Sequence, residues 1–191
     1  MSYTVDLTNN LTKSLDTIYK EAPTGPMLCV EIGAFEGRGS RMIAERLCKN
    51  PLSKLYCMDP LDDVYVKGDD RLAFWNGACK GQKGRFYENT KDYPNIVLLE
   101  GTSDTMIPVL EDATVDFVYI DGDHSPEQVY KDAVNMLPKV KDNGVILFDD
   151  YQFVVNNVVT AQGIDKFLAE QGSKVQLLLK NWQLAVRVLR H

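Results

Sequence analysis

The sequence predicts an α/β domain, an open and mostly parallel sheet with helices on both faces and an antiparallel hairpin at the C-terminus. Three observations carry this. Short apolar runs ending in acidic residues recur along the chain, helical patterns separate most of them, and the tail offers two adjacent strand-like runs. Apolar runs bounded by turn residues suit strands that are buried on both faces of a parallel sheet.

In order, the runs at 27–32, 55–58, 96–99, 115–120 and 145–148 read as strands. Between them, 40–48 places Met42, Ile43 and Leu47 on one side of a helix. Ser125, Pro126 and Gln128 read as N-cap, first-turn proline and capping-box partner of a helix that carries Val129, Ala133 and Leu137 and is closed by Pro138. Residues 164–170 look helical, and 174–179 and 183–189 look like two strands joined at Asn181 and Trp182. Right-handed crossovers then place any ligand at the C-terminal ends of the parallel strands. The polar, glycine-bearing stretch 62–94 lacks periodicity and is read as a variable insert or lid within a single domain spanning 1–191.

Composition narrows the function. At 191 residues the chain can bury a core without disulfides or structural metals. A net charge of −6 argues against a surface that tracks nucleic acid or an anionic membrane. Cys29, Cys48, Cys57 and Cys79 form no CxxC pair and read as reduced thiols. Polar residues interrupt the first twenty positions, and no apolar run reaches membrane-spanning length, so a soluble cytoplasmic protein is expected. The oligomeric state, a homo-oligomer included, stays open.

Glu31-Ile-Gly33-Ala-Phe-Glu-Gly37-Arg-Gly39-Ser40 follows the first strand and opens a helix, the place where a nucleotide-like cofactor meets an open sheet. Gly33 permits a tight turn, and Gly37 and Gly39 permit close backbone approach. The spacing is GxxxGxG rather than GxGxxG, which makes a pyrophosphate less expected. Glu31 suits a cationic ammonium or sulfonium and repels phosphate. Asp59 ends the second strand, where a carboxylate can accept from both hydroxyls of a ribose. A turn serving only helix packing, and an Asp59 that only forms a turn, are the plainer alternatives.

These residues resemble the class I S-adenosylmethionine-dependent methyltransferases over nearly the whole chain, which implies a Rossmann-like fold and S-adenosylmethionine as cofactor. The resemblance implies that Glu31 orients the methionine amine, that Gly33 and Phe35 line its side chain, and that Ser40 or the Gly39 amide meets the carboxylate. Gly101-Thr-Ser103-Asp104 resembles the adenine-contacting loop of that family, with Ser103 as the contact.

A second constellation is acidic. Asp121-Gly-Asp123-His124 closes one strand and Asp149-Asp150 another, with one capped helix between. On neighbouring strands such carboxylates converge and cannot all stay ionised without a cation, and hard oxygen donors select Mg²⁺, Mn²⁺ or Ca²⁺. Caps and solvated turns are the alternative use of the same residues. Ile120-Asp-Gly-Asp-His124-Ser and Asn143-Gly-Val-Ile-Leu-Phe-Asp149-Asp150-Tyr resemble the macrocin-type sugar O-methyltransferases. That resemblance implies a Mg²⁺ held by Asp121, Asp149 and Asp150, catalytic roles for His124 as general base and for Asp121, and a small-molecule hydroxyl acceptor such as a sugar or glycoside. Catechol-type O-methyltransferases are more distant, with Lys in the place of His124 and Asn in that of Asp150. Macrocin-type enzymes are usually longer, so a different or smaller acceptor is expected here.

Two other readings fit parts of the sequence. Tyr87 and Lys91 spell the YxxxK pair of NAD(P)-dependent short-chain reductases, but they precede the third strand instead of lying late on a long helix. A non-catalytic binding domain on the same fold is the other.

Overall fold

The computed structural model describes residues 3–4, 9–61, 78–155 and 158–190. Its main sheet has seven strands: β1 (Leu28–Ile32), β2 (Lys54–Asp59), β3 (Ile96–Glu100), β4 (Val115–Ile120), β5 (Val140–Phe148), β8 (Val175–Lys180) and β9 (Leu184–Val188), in the order β3-β2-β1-β4-β5-β9-β8. The first five pair in parallel, and β9 runs antiparallel to both β5 and β8. A small hairpin of β6 (Val154–Val155) and β7 (Val158–Val159) stands apart. The predicted α/β class and its antiparallel C-terminal hairpin are therefore present.

Alternation along the strands decides what each face buries. Val30, Ile32, Val118, Ile120, Ile146 and Phe148 face helices α5 (Pro126–Met136) and α6 (Ala161–Gln171), meeting Val129, Ala133, Ile164 and Phe167. Their neighbours Cys29, Phe117, Tyr119, Val145 and Leu147 face α1 (Asn9–Ile18), α2 (Arg38–Leu47) and α3 (Gln82–Thr90), meeting Leu11, Leu15, Ile43, Leu47 and Phe86. The predicted helices on both faces follow from this, and each fully buried large apolar side chain contributes roughly 1.5–3 kcal/mol. No helix among the described residues is long and apolar enough to cross a membrane.

Three local expectations change. Helix α2 begins at Arg38, because Gly37 takes a left-handed φ of 77° and turns the chain into the helix ahead of Ser40. Strand β5 begins at Val140, five residues ahead of the apolar run, because Lys141, Asp142, Asn143 and Gly144 form an irregularity in the β4–β5 pairing. Ser125 does cap α5, its Oγ accepting from the Gln128 amide at 3.4 Å. The capping box is only half made, since the Gln128 side chain donates to Ser103, Asp104 and Asp132 on the far side.

The stretch expected as an insert or lid divides. Residues 62–77 lie outside the described residues. Residues 82–90 form α3, whose Phe86 is buried in the core and whose Asn89 donates to the Glu36 carbonyl at 3.0 Å. This part of the stretch is scaffold behind the glycine-rich turn.

Candidate active site

Register brings the site together. Ile32 pairs with both Met58 and Ile120, and Ile120 pairs with Phe148. Asp59, Gly33, Asp121 and Asp149 are therefore neighbours along one sheet edge, at the C-terminal ends of β2, β1, β4 and β5. Backbone bonds fasten the row: Gly33 N donates to Met58 O at 2.9 Å, Asp121 N to Ile32 O at 2.8 Å and Asp149 N to Ile120 O at 2.9 Å.

Gly33 has a φ of 87°, and a β-carbon there would lie 2.1 Å from the Asp121 carbonyl oxygen. Only glycine satisfies both constraints, so the glycine-rich turn and the acidic strand end are in direct backbone contact. Glu31 points to the α2 face, 1% exposed, and accepts from Ser40 Oγ and, at 3.3 Å, from Cys57 Sγ. Burial pushes its carboxyl up to about 7; the two donors oppose this and the Asp59 charge adds to it. No cationic side chain accompanies Glu31 among the described residues. A buried carboxylate lacking a cation fits a ligand that brings an ammonium, the donor end of S-adenosylmethionine.

Asp59 organises the same turn. Its Oδ2 accepts from the amides of Ala34 and Phe35, both at 2.9 Å, and its Oδ1 from the Leu61 amide at 2.8 Å. The turn-forming use is thus real, and any ribose hydroxyl would share an already engaged carboxylate. Phe35 holds a φ of 45°, a strained left-handed conformation kept by that Asp59 contact. Ser103 opens the short helix α4 (Ser103–Met106) and is buried; its hydroxyl takes a 3.2 Å bond from Gln128, which also donates to Asp132. It ties α4 to α5, a packing role that its loop position in the sequence did not reveal.

At the β4 and β5 ends, one ligand atom each of Asp121, His124 and Asp150 lies within 4.8 Å of the other two. His124 Nδ1 is 3.4 Å from Asp150 Oδ2, with the imidazole 32% and the carboxylate 17% exposed. Asp149 is not one of these three, although its charge bears on Asp121, and Asp123 accepts from the Ser125 amide at 2.7 Å. Desolvation raises the Asp121 pKa well above the ordinary carboxylate value, and the charges of Asp149 and Asp150 raise it further. Asp150 is also raised, first by burial and then by Asp149, with His124 opposing. The strand ends therefore converge, but the closest group of ligand atoms holds His124 where Asp149 was expected, because the Asp149 carboxylate is turned to Gln183. Its hard oxygens with one imidazole fit a hard divalent cation.

Three supports come from residues that the sequence does not single out. Gln183 Nε2 donates to Asp149 Oδ1 at 2.6 Å and to Tyr119 Oη at 3.4 Å; Trp182 Nε1 donates to Asp150 Oδ1 at 3.0 Å; and Thr160 Oγ1 donates to the His124 carbonyl at 3.0 Å. Trp182 is read from the sequence as part of the hairpin junction and Gln183 as the start of its second strand, but nothing in the sequence says at which sheet edge that junction lies. The YxxxK pair has an ordinary use: Tyr87 stacks edge-on against Phe86 at 5.8 Å, and Lys91 pairs with Glu88 at 2.5 Å.

Comparison with known proteins bears on the fold and the family. A curated relative, an uncharacterized protein of Acanthamoeba polyphaga mimivirus, is 28% identical over 126 residues, covering 64% of this chain and 51% of the relative, so the chain spans about half the length of that protein. Among solved structures, the O-methyltransferase NovP has a TM-score of 0.67 at 18% identity, over 95% of this chain and 78% of that one. A proposed rRNA methylase from Clostridium thermocellum has a TM-score of 0.68 at 12% identity, over 98% of this chain and 99% of that one. At such identities these two share the fold. The methyltransferase domain family matches residues 30–151, from within β1 to just past the paired aspartates, and the chain belongs to that family.

Proposed function

We propose that this chain transfers a methyl group from S-adenosylmethionine to a hydroxyl of a small molecule such as a sugar or glycoside, assisted by a hard divalent cation, Mg²⁺ or Mn²⁺, at Asp121, Asp149 and Asp150. The observation that carries the reading is the contact between the two halves of the site: the turn beneath Glu31 and the strand end bearing Asp121 meet backbone to backbone at Gly33. A donor seated on the turn and an acceptor at the acidic cluster are then neighbours, the condition for a direct displacement.

S-adenosylmethionine supplies an electrophilic methyl carbon, and the cation would lower the pKa of an acceptor hydroxyl. The chain does the rest. Glu31 receives the ammonium of the donor, and Asp59 keeps the turn in shape and faces the ribose. His124, whose Nδ1 leans on Asp150, offers its other ring nitrogen to the hydroxyl proton. The net charge of −6 favours a small acceptor over rRNA.

The test is formation of adenosylhomocysteine when the protein meets S-adenosylmethionine, Mg²⁺ and a panel of glycosides, sugars and catechols. Turnover that stops in EDTA and returns with Mg²⁺ or Mn²⁺ is expected. Full activity in EDTA removes the cation from the reading, and tight donor binding without product across the panel favours a non-catalytic binding domain.

A further inference from the structure

Asp149 and Asp150 are adjacent in sequence, and each carboxylate is held by its own donor from a single turn. The turn between β8 and β9 places Trp182 Nε1 3.0 Å from Asp150 Oδ1 and Gln183 Nε2 2.6 Å from Asp149 Oδ1. Register makes this unavoidable. Leu184 pairs with Phe148 across the antiparallel β5–β9 ladder, so the residue before Leu184 lies opposite the residue after Phe148. An antiparallel strand delivers its beginning to the edge where parallel strands end, which no further parallel strand would do.

The turn is itself stiffened: Asn181 N donates to Gln183 O at 2.8 Å, and Gln183 N donates to Asn181 Oδ1 at 2.8 Å. Asp150 sits at a φ of 53°, a left-handed conformation that its surroundings must hold in place. Gln183 is 1% exposed, and its Oε1 has no hydrogen-bond donor among the described residues. A buried carbonyl beside the cluster with no donor suits a site that receives a proton-bearing ligand, such as the hydration water of a cation or an acceptor hydroxyl.

We propose that Trp182 and Gln183 are positioning residues that hold the carboxylates of Asp150 and Asp149 in the separate orientations in which, together with Asp121, they receive a divalent cation. The proposal rests on the cation site of the preceding section. Loss of such an outer hydrogen bond typically weakens metal affinity by roughly 10–100-fold.

The experiment titrates Mn²⁺ into the full chain and follows free ion by electron paramagnetic resonance, for wild type, Gln183→Met and Trp182→Phe. Gln183→Met keeps the volume and removes the donor, whereas Trp182→Phe keeps a ring and removes the N–H at a side chain that is 39% exposed. Melting temperature and S-adenosylmethionine affinity are measured alongside. The expected result is Mn²⁺ binding weakened by about tenfold or more in both variants, with donor affinity unchanged. Variants that bind Mn²⁺ as tightly as wild type overturn the positioning role and leave the cation site standing. Wild type that binds no Mn²⁺ overturns both. If Gln183→Met fails to fold, Trp182→Phe alone decides.

Discussion

Gly39 leaves open the space that Glu31 fills: a β-carbon on Gly39 would lie 2.5 Å from Glu31 Oε1. The carboxylate is thereby pressed against the first turn of α2, where Ser40 completes its shell. Gly39→Ala forces one of them to move. We expect a loss of roughly 1–3 kcal/mol in stability, as for other overpacked sites, and weaker S-adenosylmethionine binding, read by thermal denaturation and calorimetry. A variant with unchanged melting and unchanged affinity refutes this fit.

Glu31 also predicts a pH dependence. Its carboxyl is raised from 4.5 to about 7 by burial, so between those values the folded chain holds a proton that the unfolded chain has released. Stability from this group is therefore full below the lower value and falls as pH rises through the window, by about 3 kcal/mol at 1.36 kcal/mol per unit. Glu31→Gln removes this part of the slope. Denaturation of both proteins at about pH 5 and about pH 8 measures it, and equal slopes would contradict it. Binding of the cationic donor runs the other way and tightens as Glu31 ionises.

Much of this site was legible in the sequence, and the reason is local. Glu31, Gly33, Asp59, Asp121, Asp149 and Asp150 each stand at a strand end, so finding the strands placed them on one edge. Partners supplied from elsewhere were hidden. Gln183 reaches Asp149 through the pairing of Leu184 with Phe148, a register that neither stretch specifies alone. The left-handed start of α2 at Gly37 and the early irregular start of β5 escaped because hydrophobic periodicity says nothing about residues that bend the backbone without joining the core.

His124 separates chemistry from binding. Its imidazole lies against Asp150 and packs on the Phe153 ring at 5.4 Å. His124→Gln is expected to lower kcat by about 10²–10⁴-fold with S-adenosylmethionine affinity unchanged. A drop in affinity with kcat preserved would assign it a binding role instead.

Gly163 governs how closely α6 approaches the His124 loop. A β-carbon there would lie 2.1 Å from the Pro126 carbonyl oxygen, next to the bond from Thr160 to the His124 carbonyl. Gly163→Ala should push α6 outward and cost roughly 1–3 kcal/mol, with reduced turnover because His124 loses its backing. Unaltered melting would show that the helices yield without strain.

The family match stops at residue 151, whereas β9, which seals the open side of β5, begins at Leu184. A chain cut between them would keep every carboxylate of the site and strip the cover from a strand whose residues 145–148 are wholly apolar and buried. Unpaired amides along so greasy a border invite another copy to zip on, so such a fragment would clump. The carboxylates and the strand that shields their sheet thus reside in different stretches of one polypeptide, and inheriting the first without the second would yield a protein that precipitates.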